Sequence, residues 1–188
     1  IGVLLKGGPL DFLVRYLLQE NGISPDEVNL VYRPLPGVAK YFLTGNLDAV
    51  VLPEPLVTVT SAKSDNVHIS LDIQKEWEKI HGDRRIPFVG LFVSGNFESK
   101  NEAITEIING VYRQGIEWVN ENPGEAAELA SKHFNMPAEV IEKSFSRVNL
   151  NSYAKSESRK LTDLYFQKIL QMYPDMIGGR MPDEEFYN

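Results

Sequence analysis

Cysteine is missing from all 188 residues, which excludes a disulfide framework, a thiolate metal site and a cysteine nucleophile. Histidine is scarce. His68, His81 and His133 are scattered, with no His-Glu-x-x-His and no pair at metal-ligand spacing. Neither Gly-x-Ser-x-Gly nor a phosphate-cradling Gly-Lys-Ser occurs, so no motif for catalysis is read, and no metal or cofactor is expected. Basic charge is also in deficit: 19 Lys and Arg stand against 26 Asp and Glu, a net charge of -7, without a cationic cluster. That balance argues against a nucleic-acid surface, which needs clustered Lys and Arg to meet phosphates. No window approaches the roughly 18 consecutive apolar residues of a membrane-spanning helix. Internal repeats, low-complexity tracts and flexible linkers are absent as well.

What is present is the composition of an ordinary globular chain, 43% hydrophobic and 24% charged. That suffices for one sizeable domain, or for one lobe plus part of another. Small molecules and proteins remain as partners. Ile1 already lies in a strand-like run, with no initiator Met, basic segment or apolar leader before it, which predicts further chain upstream.

The first third alternates strand and helix signals. Ile1 to Leu5 reads as a buried strand, and Leu10, Leu13, Val14, Leu17 and Leu18 then recur at helical spacing, with Pro9 in the first turn and Gly22 past the end. Val28 to Tyr32 is a second strand, Val38 to Thr44 a short helix, Asp48 to Leu52 a third strand, and "PEPLVTVTSAK" another helix. Strands and helices alternating through such short connections imply a mostly parallel sheet flanked by helices. Further on, Val67 to Ile69 reads as a short strand, "DIQKEWEKIHG" as a polar helix and "RRIPFVGLFVSG" as a long apolar strand. The C-terminal region is helical: Ala103 to Asn120, Gly124 to Phe134, Pro137 to Phe145 and Ser156 to Tyr173. Aromatic residues there and in the polar helix, among them Trp77, Tyr112, Trp118, Phe134 and Tyr165, are expected in the core.

In open α/β sheets ligands sit beyond the carboxyl ends of the strands. Applied to the three early strands, the rule selects Lys6 to Asp11, Arg33 to Gly37 and Pro53 to Pro55. The candidate ligand-binding residues are therefore Lys6, Gly7, Gly8, Pro9, Asp11, Arg33 and Glu54. A Gly-Gly turn before a helix is expected to uncover backbone amides for an acceptor or an anion. Pro9, however, offers no amide, and Asp11 puts negative charge in the first turn. A neutral or cationic group, with Glu54 or Asp11 accepting from its donors, fits this turn better than a small anion. A second role for Asp11 is stabilising its own helix.

The run "GGPLDFLVRYLLQENGISPDEVNLVYRPLPGVAKYFLTGNLDAVVLPEP", with the later "GIEWVNENPGEAAELA", resembles the substrate-binding proteins of ABC importers, in the group that includes nitrate, sulfonate, taurine and thiamine-precursor binders. The matching elements are the glycine-rich turn into a helix, the "ENGISPDEV" step, the Gly-x-x-Asp-Ala of "TGNLDAVVLPEP" and a helix with Trp and Asn-Pro. The resemblance implies a two-lobed α/β fold of the type II periplasmic-binding-protein kind, in which residues 1–62 are the core of lobe 2. Residues 63–188 then cross back to lobe 1, near Pro87, and add the C-terminal helices. The chain looks like the C-terminal two-thirds of such a protein. It further implies a small-molecule ligand in an interlobe cleft, a membrane permease as partner, no chemical step and a monomer. That ligand is either an aminopyrimidine or thiamine-precursor-like heterocycle, which the departure at Gly8 and Pro9 from the Ser or Thr of anion binders favours, or a sulfonate- or nitrate-type anion. The location would be periplasmic or extracellular, free or lipid-anchored. The same fold also serves enzymes of menaquinone and thiamine-pyrimidine synthesis, which is the alternative reading; the thiamine type resembles a cysteine-rich pattern that this chain lacks.

Overall fold

The computed structural model describes residues 1–187. Its strands are β1 Gly2–Val3 and β2 Val31–Tyr32. Its helices are α1 Pro9–Glu20, α2 Gly37–Leu43, α3 Leu56–Ser61, α4 Ile73–His81, α5 Gly95–Glu98, α6 Glu102–Glu121, α7 Pro123–Phe134, α8 Ala138–Phe145 and α9 Lys155–Met172. The chain divides into two compact units. One comprises Ile1–Ile86 with Leu161–Met181, the other Pro87–Lys160 with the described residues from Pro182 onward.

In the first unit β1 is the central strand. It pairs in parallel with β2, Gly2 opposite Val31 and Val3 opposite Tyr32, and Gly2 makes a parallel bridge to Val50 on its other side. The Gly2 amide donates to Ala49 O at 2.8 Å, and the Val51 amide donates back to Gly2 O at 2.9 Å. Glycine is required at this crowded point: a Cβ on Gly2 would lie 2.6 Å from Leu47 Cδ1 and 2.8 Å from Val38 Cγ2. The parallel mixed α/β pattern expected from the sequence is therefore present, but with shorter strands. β1 ends at Val3 because the next residues close a turn, the Gly8 amide donating to Leu5 O at 3.1 Å.

Helix α1 is more deeply buried than one stripe predicts. Leu13, Val14 and Leu17 are buried as expected, and so are Phe12 and Tyr16. These two meet Trp77 of α4 and Tyr165 of α9 in an aromatic cluster, Phe12 edge-on to Tyr165 at 5.4 Å and Tyr16 tilted on Trp77 at 5.5 Å. Such pairs add to the burial of large apolar surfaces. His81 closes the cluster, its Nε2 2.9 Å from Tyr16 Oη.

The second unit is built of helices α5 to α8 with the start of α9. Its buried side chains are few and mostly small, including Ala126 and Ala127 of α7 and Ile141 and Ser144 of α8. Two expectations fail here. The apolar run after Ile86 is not a strand; residues 87–93 have no regular structure, and among the described residues no backbone–backbone hydrogen bond involves them. A strand needs a neighbour to receive its ladder, and among the described residues none pairs with this run. Nor are Tyr112, Trp118 and Phe134 in a core; all three are exposed. In the first unit, Val67 to Ile69 also carries no strand.

Candidate functional site

Because the paired segments run parallel, the chain leaves β1, β2 and the Val50 segment at one edge of the sheet. Lys6 to Pro9, Arg33 to Pro36 and Pro53 to Pro55 all start there. The structure thus brings the three candidate loops to one edge.

Asp11 organises the first loop. It is only 4% exposed although its carboxylate has both oxygens engaged. Oδ2 accepts the Gly7 amide at 2.8 Å; Oδ1 accepts Arg15 Nε at 2.8 Å and the Tyr32 hydroxyl at 2.8 Å. Tyr32 Oη in turn accepts Arg15 Nη2 at 2.7 Å. One carboxylate therefore ties the Gly-Gly turn, helix α1 and the end of β2 together. Burial lowers the pKa of Arg15, but its bonds to Tyr32 and Asp11 and the Asp11 charge outweigh that and raise it, so the guanidinium stays charged. Burial raises the Tyr32 pKa; the Arg15 bond works against this and Asp11 works with it, so the phenol keeps the proton it donates.

This geometry changes the reading of the turn. Gly7 has φ +74°, the left-handed region that favours glycine, and its amide goes to Asp11. The Gly8 amide goes to Leu5 O, and Pro9 has no N–H. The expectation of uncovered amides is thus not met for these residues, because the chain's own acceptors take them. Asp11 holds the turn from inside, and its carboxylate faces Gly7, Arg15 and Tyr32.

The remaining candidates lie further out. Lys6, Gly7, Pro9 and Arg33 are exposed and Gly8 is buried. The Arg33 guanidinium lies 4.1 Å from the centre of the Tyr41 ring, a cation–π contact that orients it, and the Arg33 amide donates to Val3 O at 3.1 Å. Glu54 is half-buried; its Oε2 accepts the Thr58 amide at 3.1 Å and the Thr58 hydroxyl at 2.9 Å, fixing the first turn of α3. The peptide bonds Leu35–Pro36 and Glu54–Pro55 are both cis.

Sequence reading missed Arg15 and Tyr32. The signal for Arg15 was present in its position four residues after Asp11, the spacing at which a helix brings opposite charges together. Tyr32 could be recognised only once β2 was known to lie beside β1. At the opposite edge, where the strands begin, Glu27, Asn29, Tyr41, Asn46 and Asp48 line an open hollow. Among the described residues no group of three or more His, Asp or Glu is placed to hold a metal ion, and no helix is long and apolar enough to cross a membrane.

A model of the NMT1-like family matches residues 1–132. An ABC transporter from Parabacteroides distasonis has the same fold, with a TM-score of 0.81 at 20% identity. The match covers 98% of this chain and 64% of that one, so this chain spans only part of its relative's length. No curated protein matches the sequence.

Proposed function

The chain belongs to the NMT1-like family, and on that premise we propose that it is the solute-binding component of an ABC importer, capturing a small molecule and delivering it to a membrane permease outside the cytoplasm. The observation that carries this reading is the convergence of three strand-end loops on one sheet edge, the place where open α/β sheets receive ligands. The shared fold with an ABC transporter supports it. The protein acts as a monomer, without chemistry on its ligand. A solute that binds the closed form better draws the population toward that form, which the permease then recognises.

In this reading Lys6, Gly7, Gly8 and Pro9 form one rim, and Arg33 and Glu54 the others. Asp11 shapes the first rim from behind. The chain crosses from lobe 2 to lobe 1 at Pro87, a placement supported by the unit boundary between Ile86 and Pro87.

The turn also narrows the solute class. The Gly7 and Gly8 amides already have partners within the chain, so a sulfonate or nitrate finds neither of them open. A neutral or cationic heterocycle bearing an amino group, of the aminopyrimidine kind, can instead donate to Glu54. A thermal-shift panel of an aminopyrimidine thiamine precursor, taurine and nitrate tests this, because a ligand of the folded state raises the melting temperature by mass action. The aminopyrimidine is expected to raise it and Glu54→Gln to abolish most of the rise. A shift with nitrate or taurine alone overturns the solute class, and an unchanged response in Glu54→Gln removes Glu54 from the site.

A further inference from the structure

After Met181 the chain re-enters the second unit and forms a short 3-10 helix, Glu184–Tyr187, with no buried residue. Its one backbone–backbone hydrogen bond among the described residues is internal, the Phe186 amide donating to Asp183 O at 3.2 Å. Side chains therefore hold it in place. Arg159, in the second turn of α9, donates Nη1 to Glu184 Oε2 and Nη2 to Glu184 Oε1, both at 2.6 Å, the parallel fork that fixes a carboxylate in one plane. The same guanidinium lies 4.7 Å from the centre of the Tyr187 ring, within cation–π range. Phe186 packs edge-on against Tyr187 at 5.0 Å and tilts on Phe92 at 5.8 Å. Arg159, Glu184, Tyr187, Phe186 and Phe92 thus form one continuous series of contacts from α9 to the run 87–93.

The place of these contacts along the chain gives them a role. The chain enters the second unit at Pro87, leaves it after Lys160 and returns at Pro182. Phe92, Arg159 and Glu184 each lie a few residues from one of these passages, so the contacts gather, inside the second unit, every segment through which it connects to the rest of the chain. Their strength is modest. The Glu184 side chain is 79% exposed, and an ion pair in water adds little net stability. Phe186 and Phe92 are exposed as well. A segment without buried side chains belongs to the parts of a protein that open locally at small cost. Fixed direction with weak holding is the character of a fastening that releases without unfolding the unit.

We propose that residues 182–187 are a releasable strap, which when closed fastens the run 87–93 to the start of α9 through Phe92, Phe186, Glu184 and Arg159, and when open leaves the two segments free to move apart. The strap lies wholly in the second unit, so it stands or falls independently of the solute taken by the rim of the first.

Because these 188 residues include no cysteine, a single Glu185→Cys substitution places a nitroxide label on the strap and nowhere else in the chain. The label is expected to give a motionally restricted spectrum while the strap is closed. Arg159→Gln and Phe186→Ala are each expected to turn it into a mobile one, and to speed chymotryptic cleavage after Phe92 by at least about fivefold, since cleavage follows the population of the opened form. Hydrogen exchange at Phe12 to Leu17 of α1 is expected to stay unchanged, which separates release from unfolding. Arg159→Glu opens the strap, and adding Glu184→Arg, which restores opposite charges at the same two positions, is expected to close it again. A label equally mobile in every variant, cleavage that does not change when the strap opens, no recovery in the exchanged pair, or faster exchange in α1 as well overturns the proposal.

Discussion

Trp77 and Phe12 in the first unit are each 1% exposed, whereas Val89 and Ile107 in the second are 80% and 64% exposed. Both units carry apolar side chains at regular spacing, but only the first surrounds them. Helix α1 meets α4 and α9, which close an aromatic core around it. Helix α6 buries just Thr105 and Ile116, at the flank of its apolar stripe. Hydrophobic periodicity thus marks which face of a helix is apolar, while burial depends on what packs against that face.

The sharpest way to break this comparison is to truncate one apolar side chain in each unit. Trp77→Ala is expected to cost about 3–5 kcal/mol by opening a cavity in a closed core, read by urea denaturation followed by circular dichroism. Ile107→Ala in the same 188 residues is expected to stay within about 0.5 kcal/mol, as exposed positions do. Equal costs would show that the two units are packed alike.

A smaller effect is expected at the node behind the first rim. Asp11→Ala leaves the Gly7 amide, the Tyr32 hydroxyl and the Arg15 guanidinium without their shared acceptor. The loss is expected to be about 2–3 kcal/mol, since unpaired buried donors are costly and a largely buried charge more so. Faster exchange of the Gly7 amide should accompany it. A variant with unchanged stability and unchanged exchange at Gly7 would remove Asp11 as the organiser of the turn.

The smallest effect is a pH dependence confined to the first unit. Burial lowers the His81 pKa below its ordinary value of 6.5; the nearby Lys168 charge lowers it too, and Glu20 works against both. The unfolded chain therefore takes up this proton at higher pH than the folded one. Stability from this group is present above the unfolded value and is lost as the pH falls through 6.5 toward the folded value. The urea midpoint should drop over that window, and His81→Gln should flatten the drop. An identical profile in His81→Gln would assign it to other groups.

Much of the first unit was legible because its signals were local. Pro9 opens α1, Gly22 and Gly45 follow helix ends with positive φ, and Asp72 caps α4 by accepting from the Gln74 amide. The three rim loops could be found because parallel order follows from short connections. What Asp11 does was not settled by the sequence, since a first-turn carboxylate can face outward or inward and only the neighbouring β2 supplies Tyr32. The strand expected after Ile86 failed for a related reason: its composition is that of a strand, but a strand is completed by a neighbour beyond itself. Trp118 and Phe134 were expected inside because aromatics at helical spacing are usually core, yet both are exposed, since spacing marks a face without supplying what packs on it.

The central claim is that the sheet edge carrying Lys6 to Pro9, Arg33 and Glu54 receives the solute. Amide chemical shifts recorded during titration with an aminopyrimidine thiamine precursor test it most directly. The account predicts saturable shifts at residues 6–10, 33–37 and 54–58, with those around Asn29 and Asp48 at the opposite edge unmoved. Shifts centred on Asn29, Asn46 and Asp48, with the three loops silent, would contradict it.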